Sequence, residues 1–131
     1  MTRKRVRVFL DTSVIIAAIF SPTDGARRLF YPAEADIIDL LAGENVLRET
    51  DEVVRRKVPG SLPLLAQLLT IGRIVNSPAP TQTQIIAARK CVAYLPDAYL
   101  LAEAMQAQPD WFVTHGKEHF LNRQPEIIFK G

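Results

Sequence analysis

Four places in this 131-residue sequence hold polar side chains whose neighbours point to chemistry. Asp11 follows the apolar, β-prone run Val6-Arg7-Val8-Phe9-Leu10 and precedes Thr12-Ser13 and a second apolar run, Val14 to Phe20. That order reads as a buried strand, a carboxylate at its carboxyl end and then a helix, which is where open α/β sheets bind ligands. Burying a carboxylate there is costly unless something pairs with it, and a metal ion is a common partner. Aspartate is also a good helix N-cap, so both readings of Asp11 stand. Glu49 lies in a helical stretch, 44–57, whose apolar face is Val46, Leu47, Val53 and Val54. It falls about 100° from the centre of that face, at the border between buried and solvated, where a side chain can look into a cleft. An ordinary surface glutamate would have the same pattern. Asp97 follows Pro96 and opens a helix on the side shared with Ala98, Leu101, Ala102 and Met105, again as a ligand or as a cap. The fourth place is Val113-Thr114-His115-Gly116-Lys117-Glu118-His119. His115 and His119 have a spacing that can bind zinc from one helix face, but the metalloprotease pattern needs glutamate directly after the first histidine, where this chain has Gly116. Two ordinary polar histidines fit better.

These residues need elements to position them. Strands are expected at about 5–10, 37–41, 73–75, 111–114 and 126–129. Helices are expected from Thr12 or Ser13, at 26–31, at 44–57, from Pro63 to about 70, at 82–94 and at 97–108, with a loop and short helix at 115–121. Turn residues at 21–25, Ala42-Gly43, Pro59-Gly60, the loop at 77–80 and Pro96 separate them. Strands that are nearly continuously apolar and alternate with helices imply an α/β fold. The expectation is a single domain over 1–131, with a central parallel sheet of about five strands and helices on both faces.

Composition narrows the function classes. Apolar residues make up 48% of the chain, enough for a full core, and no run of about 18 apolar residues suggests a membrane span. The basic start leads only into a short apolar run broken by Arg7 and Asp11, unlike a signal peptide. The one cysteine, Cys91, cannot form an internal disulfide; it fits a cytoplasmic protein and reads as a small buried hydrophobe. The net charge of +2 is short of a dedicated nucleic-acid binder. Basic clusters at 3–5, Arg27-Arg28, 55–57 and Arg89-Lys90 can either contact phosphates or form solvated surface.

Taken in order, the acids and their contexts resemble a PIN-domain ribonuclease. The resemblance rests on 8–16 (VFLDTSVII), Val46-Leu47-Arg48-Glu49, 97–102 (DAYLLA) and Trp111-Phe112-Val113-Thr114, and it covers nearly the whole chain. The Ser-Pro turn followed by Gly25-Ala26-Arg27-Arg28-Leu29 is similar to a branch described as toxins of toxin–antitoxin pairs. The resemblance implies a PIN-like parallel sheet whose acids hold Mg²⁺ or Mn²⁺ at the strand ends. Asp11, Glu49 and Asp97 match three of those acids. Thr12 or Ser13 matches a hydroxyl beside the first, and Thr114 matches the threonine ending the fourth strand. The implied activity is metal-dependent endoribonuclease cleavage of RNA, in which a metal-activated water attacks the phosphodiester. The implied partners are RNA, an antitoxin protein and a second copy in a homodimer, with no membrane.

One departure bears on activity. The family has aspartates after the fourth strand in a Thr-x-Asp-x-Asp pattern, and here those positions are Gly116 and Glu118. Three outcomes follow: Glu118 substitutes as a metal ligand, one metal is held through three carboxylates and waters, or catalysis is lost. The last would leave a degenerate PIN-like domain that binds RNA or a protein without cutting. A phospho-accepting receiver domain also carries acids above a parallel sheet, but the third strand here ends at Val75-Asn76-Ser77 without the aspartate it needs.

Overall fold

A computed structural model describes residues 5–21, 25–72 and 74–114 of the chain. Four strands form one parallel sheet: β1 (Val6–Leu10), β2 (Ile38–Gly43), β3 (Val75–Ser77) and β4 (Trp111–Val113), in the spatial order β3-β2-β1-β4. The helices are α1 (Thr12–Phe20), α2 (Gly25–Arg28), α3 (Phe30–Glu34), α4 (Glu44–Lys57), α5 (Leu62–Ile71), α6 (Gln82–Cys91) and α7 (Leu95–Ala107). The fold is therefore α/β with a parallel sheet. The fifth strand expected at 126–129 lies outside the described residues, as do His115, Gly116, Glu118 and His119.

Strand order fixes where the helices go. The crossovers from β1 to β2 and from β2 to β3 step the same way across the sheet, whereas β4 returns to the far side of β1. Right-handed crossovers place α1 to α5 on one face and α6 and α7 on the other. The packing agrees: α1 lies against α4, α6 against α7, and α7 against β2 and β3. The strand order reverses between β1 and β4, so the carboxyl ends of these two strands form the crevice typical of ligand binding in such sheets.

The strands are apolar because both faces are covered. Phe9, Leu10, Leu40, Leu41, Ala42 and Phe112 are buried, and the Phe9 and Phe112 rings meet edge to face with centroids 5.7 Å apart. Register aligns the strand ends. Leu10 pairs with Val113, Phe9 with Leu41, and Gly43 with Ser77. Continued across the sheet, this pairing sets Ser77, Gly43, Asp11 and Thr114 in one row along the carboxyl edge.

Several boundaries differ from the sequence expectation, each for a local reason. Ala42 and Gly43 do not break β2 but end it, because they pair with Asn76 and Ser77. The same pairing moves β3 to Val75–Ser77. Pro96 does not break the chain; it sits in the first turn of α7, where its missing N–H is not needed. The preceding helix stops at Cys91, which is exposed rather than buried. Among the described residues, no helix is long and apolar enough to cross a membrane.

Candidate functional site

Asp11 leaves β1 at the reversal of strand order and is only 4% exposed. Both of its carboxylate oxygens are engaged. Oδ1 accepts the Val14 N–H at 3.2 Å, the N-cap of α1, and the Ser13 hydroxyl at 2.5 Å. Oδ2 accepts the hydroxyl of Thr114, one residue past β4. The cap and ligand readings of Asp11 are thus compatible, because one carboxylate can cap its helix and still face the strand-end crevice. Burial pushes its carboxyl above the ordinary aspartate value; the hydrogen bonds from Ser13, Thr114 and Val14 oppose that rise without cancelling it. The site thus carries a desolvated acid whose negative charge lacks a cationic partner among the described contacts.

Glu49 is exposed on α4 and turns toward Asp11's neighbour. Its Oε1 accepts the Thr12 hydroxyl at 2.5 Å. Consecutive residues of α1 thus each hold one acid, Thr12 holding Glu49 and Ser13 holding Asp11. Val46 and Val54 face the core of α4 as the apolar pattern predicts, and Thr50 is buried with them because its hydroxyl returns to the Val46 carbonyl at 2.8 Å.

Asp97 is half-buried in the first turn of α7, whose N-cap is Tyr94. It is not the cap, because the helix begins two residues before it. There it faces the positive end of the helix dipole, where an acid is stabilised. Among the described residues, no three His, Cys, Asp or Glu side chains are grouped closely enough to hold a metal ion. Asp11 and Glu49 accept hydroxyls from adjacent residues at the start of α1, and among the described residues Asp97 forms no three-acid cluster with them.

The sequence reading missed Glu103. Its carboxylate is buried, at 2% exposure, beside Gly43, and Oε2 accepts the Asn45 N–H at 3.1 Å. Its other oxygen is buried with no hydrogen-bond partner among the described residues. Burial raises its carboxyl above the ordinary value, opposed by Asn45 and by the charge of Arg48, while Glu44 and Glu49 add to the rise. Glu103 is the single charged residue between Ala98 and Ala107, and a lone acid in such an apolar helix was the available signal.

The donors at this edge are carboxylates and hydroxyls, all oxygen, the set that Mg²⁺ and Mn²⁺ take. Two carboxylates with waters and substrate phosphates suffice for Mg²⁺, and the oxygen donors of Asp11 and Glu49 have the chemistry that suits such an ion. No known protein-family model matches the chain, and neither does any curated protein.

Proposed function

We propose that the protein is a metal-dependent endoribonuclease with a PIN-like fold, the toxin half of a toxin–antitoxin pair, with Asp11 and Glu49 at the centre of its site. The observation that carries this reading is the desolvated Asp11 carboxylate at the strand-order reversal, joined through Thr12 and Ser13 to Glu49. When bound, Mg²⁺ or Mn²⁺ would make water a stronger nucleophile and offset charge developing on a phosphate. Asp11 and Glu49 would hold the ion, with Asp97 and Glu118 the further acids assigned by family resemblance. Ser13 and Thr114 orient Asp11 by donating to opposite oxygens, and Thr12 orients Glu49. Arg56, exposed in the last turn of α4, supplies positive charge for an RNA backbone, whereas Arg55 is paired with Asp51 at 2.7 Å.

The test is incubation with single-stranded RNA in Mn²⁺ or in chelator. Cleavage that requires the ion supports the reading; ion-independent cleavage contradicts it. A second reading is a degenerate PIN-like domain that binds RNA or a protein without cutting. It is favoured by Gly116 in place of an acid. Saturable RNA binding with no Mn²⁺ binding at millimolar concentration would select it.

A further inference from the structure

Helix α4 begins without a capping side chain of its own. Its N-cap is Gly43, and no side chain of the adjoining turn caps it locally. A helix start leaves N–H groups without intrahelical partners, and a side-chain oxygen normally takes one of them. Here that oxygen comes from 58 residues away: Glu103 Oε2 accepts the Asn45 N–H at 3.1 Å. Glu103 belongs to α7, on the other face of the sheet from α4. It reaches α4 at the end of β2, where the chain turns over the sheet edge. The route is open because residue 43 is glycine. A Cβ built there would fall 2.6 Å from Glu103 Oε1 and nearer still to Cδ and Oε2.

The same helix is held at a second point. Glu49, four residues past Asn45 and so about one turn along, accepts the Thr12 hydroxyl from α1. The first turns of α4 are thus held from α7 at one end and from α1 at the other. We propose that Glu103 is a positioning residue, whose buried carboxylate caps α4 through the gap left by Gly43 and so sets where Glu49 stands against Thr12. The value of Glu49 as a site acid rests on the function proposed above, whereas the cap and its effect on Glu49 do not.

The test compares wild type with Glu103→Ala, Glu103→Gln and the double variant Gly43→Ser with Glu103→Ala. Three readouts are followed: amide hydrogen exchange at Asn45, the ¹³C resonance of the Glu49 carboxyl, and the affinity for Mn²⁺ alone. Glu103→Ala is expected to speed exchange at Asn45 by about fivefold, the factor equivalent to the ~1 kcal/mol of an N-cap. It should also move the Glu49 resonance and weaken Mn²⁺ binding. Glu103→Gln keeps a carbonyl acceptor and should stay near wild type in the first two. In the double variant a serine at the N-cap does the capping locally, in the space the carboxylate vacates, and should restore all three. Unchanged exchange and an unmoved Glu49 resonance in Glu103→Ala would overturn the proposal, as would a double variant that behaves like Glu103→Ala. If wild type binds no Mn²⁺, the proposed function fails while the Asn45 exchange rate and the Glu49 resonance still decide the positioning role. If Glu103→Ala does not fold, the glutamine and double variants decide it alone.

Discussion

Thr114, at the carboxyl end of β4, donates its hydroxyl to Asp11 Oδ2 at the carboxyl end of β1. The bond joins the two neighbouring strands between which the sheet reverses its order. It also partly compensates a carboxylate that is almost fully buried. With the Ser13 hydroxyl on the other oxygen, it leaves Asp11 little freedom to rotate.

Replacing Thr114 by valine keeps the shape and removes the donor. A hydrogen bond to a charged group contributes about 1.5–3 kcal/mol, and the loss here also strands a buried anion. Thr114→Val should therefore lower the unfolding free energy by about 2 kcal/mol. Thr114→Ser, which keeps the hydroxyl, should stay within about 1 kcal/mol of wild type. Urea denaturation measures both.

Thr12 offers the contrasting case, because its bond to Glu49 is exposed to solvent. Thr12→Val should change stability by less than about 1 kcal/mol. Its effect should appear instead in Mn²⁺ affinity, reduced about tenfold as Glu49 loses its orientation. Calorimetric titration of the ion separates the two effects.

The buried acids give stability a pH dependence of unusual sign. Burial raises the folded-state carboxyls of Asp11 and Glu103 above their ordinary values of 3.8 and 4.5. The folded protein thus holds protons that the unfolded chain has released. The contribution of these two groups is greatest below those values and is lost as pH rises toward the folded values. Asp11→Asn with Glu103→Gln removes that loss. The stability of the double variant relative to wild type should rise with pH from about 4 upward and then level off. Unfolding measured in chelator over that range checks the slope. A difference that falls with pH would contradict it.

Gly43 and Glu103 should couple strongly. Gly43→Ala drives a methyl into the Glu103 carboxylate and should cost about 1–3 kcal/mol. In the Glu103→Ala background the same methyl meets no carboxylate, and its cost should fall below about 1 kcal/mol. A double-mutant cycle by urea unfolding gives the coupling directly.

Much of this arrangement was legible in the sequence. Asp11 could be read from the strand before it and the hydroxyls after it, because a polar Asp-Thr-Ser step between two apolar runs marks the junction of a strand and a helix. The span of α4 was legible too, since its apolar residues recur at helical spacing between a glycine and a proline. What was not legible depends on contacts distant in sequence. The end of β2 at Gly43 is chosen by pairing with β3, which no local signal carries. Asp97 was expected to open its helix, but Pro96 fits inside the first turn. Glu103 looked like one more helical glutamate; only the fold sets it against Gly43, 60 residues earlier in the chain.

Asp11 is the acid around which the proposed RNA-cutting site is built. The most direct measurement is cleavage of single-stranded RNA in Mn²⁺ by wild type and by Asp11→Asn, with folding of both verified by circular dichroism. Wild type should cleave, and the variant should lose about 100-fold or more of that rate, equivalent to ~3 kcal/mol of lost charge stabilisation. Equal cleavage by a folded Asp11→Asn protein, or no cleavage by wild type under saturating Mn²⁺, would contradict the account.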